Sequence, residues 1–250
     1  MTVTHSLVFG RHAVQSLLKH NADRILRVLI QKGMNPAECA SVVAATRAQD
    51  LSLEYVSREH LDRLAEEGNH QGMIAVCKPA MSYSEKDLQP WLQSLASPPF
   101  LLLLDGVQDP RNLGACFRIA DAAGIQAIIA PKDKATGLTG VVSKVASGAT
   151  ETVPFFQVTN LARSMEILKE EGVWLYGADS HTADSQSLYE ITFPKATGIV
   201  MGSEGEGLRR LTRERCDAIL HIPMHGTVES LNVSVATGII LFEVARKRSH

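Results

Sequence analysis

Residues 101–104 are four consecutive leucines that run directly into Asp105 and Gly106. A run that is apolar at every position, rather than at every second one, belongs to a strand buried on both faces. Such a strand needs helices above and below it. Residues 127–130, 173–178, 198–201 and 218–222 are further strand candidates, and helical periodicity occupies 115–123, 141–147 and 161–170. The alternation predicts an α/β domain built on a parallel sheet. Ligands of such sheets bind beyond the carboxyl ends of the strands, so the segments that follow each strand are where chemistry is expected.

The chain ahead of this domain reads as a smaller α/β unit over residues 1–78. Helical character at 11–19, 37–49 and 59–67 alternates with apolar runs at 27–30 and 73–77, and Ser57 is placed as an N-cap. Pro79, Pro98 and Pro99 bracket residues 79–98, a linker with a short helix starting near Ser84 and carrying Leu88, Trp91, Leu92 and Leu95. The large domain then spans 99–250.

Composition narrows the function classes. At 250 residues and 45% hydrophobic, the chain can bury a core without disulfides. Its four cysteines form no C-x-x-C pair, so neither zinc fingers nor a redox motif is indicated, and buried free thiols are expected. There is no signal pattern and no apolar run long enough to span a bilayer, so a cytoplasmic protein with no membrane partner is expected. The net charge of −2 argues mildly against nucleic-acid binding, because neutralising phosphates takes lysine and arginine. Arg209, Arg210, Arg213 and Arg215 cluster, as do Arg246, Lys247 and Arg248; solvated helix faces are the plain reading of both.

Three segments carry chemistry. The first, DGVQDPRNLGACFRIADAAG (105–124), opens with a turn signal at Asp109-Pro110, and Asn112 is placed to cap the following helix. Arg111 and Arg118 are seven apart and share a helix face if one helix covers both. Arg118 also precedes Asp121 by three, the spacing of an intrahelical ion pair. The second, GSEGEGLRRL (202–211), is neither G-x-G-x-x-G nor a Walker loop. It lacks lysine and carries Glu204 and Glu206, which repel phosphates, so NAD and ATP fit poorly. S-adenosylmethionine, with hydroxyls, an amine and a positive centre, fits better; a mobile polar turn is the other reading. The third, HIPMHGTVESLNVSVATGIILFE (221–243), places Ser230 and Asn232 at the opening of an apolar helix. Ser230 suits an N-cap, and two small polar residues there also suit a hydroxyl or an anion. His221 and His225 are four apart, but Pro223 opposes the helix a metal pair needs, so no metal is expected.

Together these segments resemble the signature motifs of the SpoU (TrmH) family of RNA ribose 2′-O-methyltransferases. The matching stretches are D-P-R-N-L-G-A with Arg118 six residues after Asn112, then G-S-E-G-E-G, then E-S-L-N-V-S-V-A, in family order over 99–250. FGRHAV (9–14) and NHQGMIAV (69–76) are similar to the N-terminal extension of the bacterial 23S rRNA guanosine methyltransferases of that family. The resemblance implies an α/β-knot (SPOUT) methyltransferase domain preceded by a small α/β RNA-binding domain, although no periodicity signals a knot. It implies S-adenosylmethionine as cofactor and a homodimer with the active site at the subunit interface. Asn112 and Arg118 are implied at the reacting ribose, with Glu204, Ser230 and Asn232 completing the catalytic set. Gly202, Ile222 and Leu231 are implied to hold the cofactor, largely through backbone groups.

The implied activity is methylation of a guanosine ribose 2′-hydroxyl in 23S rRNA. The catalytic motifs also serve tRNA methylation, and a non-enzymatic RNA-binding or ribosome-assembly protein would keep the fold. A dinucleotide oxidoreductase fits the parallel pattern but lacks the glycine fingerprint. The 2′-hydroxyl requirement makes RNA, not DNA, the expected partner. An arginine stays protonated in proteins, so Arg118 is read as holding the target phosphate rather than as the base. A basic face including Arg11 and His12 is expected on the N-terminal domain.

Overall fold

The computed structural model describes residues 6–65, 69–78, 82–179, 184–203, 207–228 and 230–248. The chain divides into two compact units, one of residues 1–81 with 138–152, the other of 82–137 with 153–250.

In the first unit β1 (Ser6–Phe9), α1 (Arg11–His20), β2 (Ile25–Gln31), α2 (Pro36–Ala48), β3 (Ser52–Val56), α3 (Arg58–Ala65) and β4 (Met73–Cys77) follow one another. The sheet order is β1-β4-β2-β3, with β4 antiparallel to both neighbours and β2 parallel to β3. Successive side chains of a strand face opposite ways. Val28 and Ile30 of β2 therefore pack with Val14, Leu17 and Val42, while Leu29 between them joins Leu61 and Ile74 on the other side. The all-apolar β4 is buried along its whole length. Ser57 caps α3 as expected, its Oγ accepting from the His60 N–H at 3.3 Å. The two strands with no expectation from sequence, β1 and β3, are the sheet's edges, where half-exposed residues blur the pattern.

The second unit runs β5 (Ser82–Tyr83), α4 (Glu85–Gln93), β6 (Phe100–Asp105), α5 (Pro110–Ala123) and β7 (Ala127–Pro131). It resumes with β8 (Phe155–Val158), α7 (Leu161–Glu170), β9 (Trp174–Ala178), β10 (Gln186–Ser187), β11 (Thr197–Gly202), α8 (Arg210–Arg215), β12 (Ala218–His221) and α9 (Val233–Arg248). Between β7 and β8 lies α6 (Gly140–Ala146), which groups with the first unit. All eight strands form one parallel sheet in the order β10-β12-β9-β11-β6-β7-β8-β5. The central strands β6, β7 and β11 are buried at every position, as the leucine run requires.

The division of the chain differs from the expected 1–78, 79–98 and 99–250. Residues 82–93, expected in a linker, belong to the second unit, where Leu88 and Leu92 are buried in its core and Trp91 lies 5.1 Å from the Phe156 ring. Asp87 starts α4 by accepting from the Ser84 N–H at 2.8 Å. Residues 138–152, expected in the large domain, group with the first unit. There the buried Arg24 guanidinium pairs with Glu151, whose carboxyl is pushed up by burial against the pull of Arg24.

Register is what positions the site. Gly202 on β11 stands opposite Asp105 on β6, Met201 opposite Ala178 on β9, and Ala178 opposite Leu220 on β12. Four neighbouring parallel strands therefore end at one level, and the segments that follow them start side by side. Among the described residues no helix is long and apolar enough to cross a membrane.

Candidate active site

A cleft of about 560 Å³ opens beyond these strand ends. Asp179 follows β9, Gly202 and Ser203 close β11, Ile222 follows β12, and Ser230 and Leu231 precede α9 along its wall. A second hollow of about 200 Å³ is lined by Gly106, Asp109 and Asn112. Ser203 and Val233 line both, so the two share a wall.

The loop after β11 turns back on itself. Ser203 and Gly207 exchange backbone hydrogen bonds of 3.1 and 3.2 Å. A Cβ on Gly202 would overlap the Gly207 carbonyl group, so only glycine lets the loop close this tightly. Glu204, between them, lies outside the described residues. Beyond the loop, the Arg209 N–H donates to the buried Asp105 carboxylate at 3.0 Å, with the guanidinium 3.4 Å away. Arg213 stands 3.3 Å from Asp179. Carboxylates at the ends of β6 and β9 thus anchor the segment that leaves β11.

These pairs change the reading of the basic clusters. Arg210 and Arg215 are also ion-paired, to Glu214 at 2.7 Å and Glu166 at 2.8 Å. At the other cluster, Lys247 donates to the carbonyls of Leu188 at 3.1 Å and Tyr189 at 2.8 Å. Arg248 donates to the Lys195 carbonyl at 2.9 Å and lies 4.3 Å over the Phe100 ring, and burial pulls its pKa down. Most of these side chains lock the unit together instead of forming plain solvated faces.

The helix caps also differ from expectation. Asp109, not Asn112, caps α5: its carboxylate accepts from the Arg111 N–H at 2.8 Å, and Pro110 takes the first helical position. Asn112 sits inside the first turn, and its Oδ1 accepts from Asn232 Nδ2 at 3.1 Å. Asn232, not Ser230, caps α9, accepting from the Ser234 N–H at 2.9 Å and its hydroxyl at 2.6 Å. One asparagine therefore both caps the helix of the third motif and touches the first. Arg118 is on α5 with Arg111, exposed, and lines neither hollow. Six residues of helix turn the chain by about 240°, so Arg118 leaves the helix on a different side from Asn112.

Of the expected residues, the structure gathers Asn112, Asn232, Ser230, Gly202, Ile222 and Leu231 and leaves Arg118 apart. Sequence reasoning missed Asp179 and Ser203. Asp179 is the first charged residue after the apolar β9, which was a usable signal. Its side chain is only 7% exposed and is the carboxylate on the wall of the large cleft among the described residues.

That wall has a definite chemistry. Apolar Met201, Leu220 and Ile240 alternate with backbone groups and small polar side chains, and no lysine or arginine lines it among the described residues. A phosphate would find no cation there, whereas a ligand with an apolar part and a positive charge matches the wall. His221 is tied by Nδ1 to the Ser185 hydroxyl at 2.9 Å. Burial pushes the Cys216 thiol up to about 12, so it is protonated at neutral pH and is no nucleophile.

Comparison with known proteins agrees with this geometry. The model of the SpoU rRNA methylase family matches residues 99–242, and that for RNA 2′-O ribose methyltransferase substrate binding matches 7–83. The 23S rRNA (guanosine-2′-O-)-methyltransferase RlmB of Shewanella oneidensis is 52% identical over 97% of this chain and 97% of its own. The protein of the same name from Salmonella typhimurium is 48% identical over 97% and 99%. Among solved structures, the AdoMet-bound rRNA methyltransferase from Sinorhizobium meliloti has the same fold, with a TM-score of 0.78 at 24% identity over 97% of this chain and 87% of that one.

The double duty of Asn232 makes a prediction. Asn232→Ala removes a helix cap and lowers stability by about 1 kcal/mol. Asn232→Ser restores most of that loss, because serine caps as well, yet cannot reproduce the contact with Asn112. Urea unfolding of the two variants checks this; equal stability of Asn232→Ala and the parent would mean that the cap is not formed.

Proposed function

The chain belongs to the SpoU rRNA methylase family, and from that premise we propose that it transfers a methyl group from S-adenosylmethionine to a guanosine ribose 2′-hydroxyl in 23S rRNA. One observation carries the reading: the likeness to 23S rRNA (guanosine-2′-O-)-methyltransferases runs through both units at about half identity. Acting on ribosomal RNA, the protein works in the cytoplasm.

The cleft suits the cofactor. Gly202, Ile222 and Leu231 hold it through backbone groups, and Asp179 supplies a negative charge near a cationic occupant. When bound, S-adenosylmethionine supplies an electrophilic methyl on sulfur with a neutral leaving group, so the chain needs no covalent nucleophile. What the chain supplies is position. Asn112 lines the smaller hollow, the place for the ribose, its partner Asn232 lines the larger cleft, and the wall shared through Ser203 and Val233 sets the two reactants against each other. Ser230 completes the polar lining among the described residues. Arg118 binds the phosphate of the target nucleotide and lowers the cost of charge developing on the hydroxyl oxygen.

Arg118 does this for the partner subunit in a homodimer. Two features of this chain support that arrangement. Arg118 is exposed and away from the hollows of its own chain. The apolar α9 also keeps Val235 51% and Phe242 53% exposed, and a helix apolar on several sides asks for a second covering surface.

Two measurements follow. Labelled S-adenosylmethionine is incubated with unmodified 23S rRNA and, separately, with tRNA, and the product nucleosides are identified by mass spectrometry. The expected product is 2′-O-methylguanosine in the rRNA; label in tRNA alone would refute the ribosomal assignment, and no transfer to either would refute the enzyme. For the dimer, Asn112→Ala and Arg118→Ala are each expected to be inactive. Co-expressed, they regain about a quarter of parent activity, since half the dimers are mixed and hold one intact site. No recovery in purified mixed dimers would mean that each site draws both residues from one chain.

A further inference from the structure

The first unit holds a second cleft, of about 590 Å³, between the loop after β2 and the turn before β4. We propose that it is a reading pocket for one unpaired RNA base, separate from the methyl-transfer site; this rests on the RNA methyltransferase reading above.

The walls are built, not incidental. His70 is 5% exposed. Its Nδ1 accepts the Gly72 N–H at 2.9 Å, so the ring proton sits on Nε2 and is donated to Asp62 Oδ1 at 2.9 Å. This clamps a turn in which Gln71 and Gly72 both have positive φ, 49° and 76°. A Cβ on Gly72 would also overlap the tip of Met34 from the opposite loop, so the two loops meet closely here. Left-handed backbone at a non-glycine residue is uncommon and persists where its surroundings enforce it.

The lining chemistry selects the occupant. Gln31, Asn35, Asn69 and Gln71 supply amides, Met34 a soft apolar surface, and Arg58 the arginine. Two of the amides are oriented by backbone groups. Asn35 Oδ1 accepts the Ala37 N–H at 3.0 Å, and Gln71 Oε1 accepts the Arg11 N–H at 3.2 Å. Their NH₂ groups are therefore what they offer a ligand, and they match acceptors on a base edge. Charge argues against phosphate as the occupant. Arg58 lies 3.8 Å from Asp62, and Glu38 adds a second carboxylate to the same wall. A neutral, flat, acceptor-bearing group fits, and an unpaired base displays its edges in this way only when it is outside a helix. Arg11, exposed at the start of α1, is joined to Gln71 of this cleft through its backbone N–H.

The test removes the donors and keeps the architecture. Asn35→Asp retains the capping oxygen, and Gln71→Glu retains the acceptor for Arg11, yet neither has an NH₂ group. Ala44→Glu/Ala48→Glu, both exposed on α2, adds the same two charges outside the cleft as the control. With full-length protein and transcribed 23S rRNA, the Asn35→Asp/Gln71→Glu double variant is expected to raise the KM for rRNA at least about tenfold, the scale of two lost hydrogen bonds. Its kcat at saturating rRNA and its Kd for S-adenosylmethionine stay at parent values. A KM equal to that of the Ala44→Glu/Ala48→Glu control would overturn the pocket while leaving the enzymatic reading intact. If the parent transfers no methyl group, the enzymatic reading fails by itself, and filter binding of rRNA then decides: equal retention by parent and double variant would overturn the pocket.

Discussion

The site depends on the in-register parallel pairing of β12, β9, β11 and β6. Because these strands run the same way and stop together, three segments distant in sequence begin within reach of one another. The pairing is stable because the central strands are apolar throughout and covered on both faces. The leucine run at 101–104 is thus the first cause of the cleft: it places β6 at the centre and delivers Asp105 to the level where β11 ends. From there Asp105 anchors Arg209, and the loop closed by Gly202 is held at the cleft's edge.

Polar contacts then refine what the sheet has arranged. Asn232 caps α9 and reaches Asn112 on α5, so the helix start that carries the third motif is registered against the first. Asp179 and Arg213 do the same between β9 and α8. Many of the clustered basic residues of the second unit pair with carboxylates or donate to carbonyls, so they are tied to neighbouring elements.

Much of this was legible in the residues. The all-apolar strands, the helices between them and the motif loops follow from periodicity and spacing, and Gly202, Ile222 and Leu231 line a common cleft as the family resemblance implied. What was not legible depends on long-range contacts. The grouping of 138–152 with the first unit accompanies a pairing of Arg24 with Glu151, residues far apart in the chain. The capping roles went to Asp109 and Asn232 because two nearby polar candidates compete at each helix start, Asp109 with Asn112 and Ser230 with Asn232, and local propensity does not choose between them.

The cleft reading places S-adenosylmethionine at the aligned strand ends, on backbone groups of the second and third motif segments. Hydrogen exchange with and without S-adenosylmethionine, read by mass spectrometry, is the measurement that decides this. Slowed exchange is expected only in peptides covering 201–208, 220–224 and 230–236, with the first unit unchanged. Protection centred on 31–38 and 69–72, or on no segment at all, would contradict it.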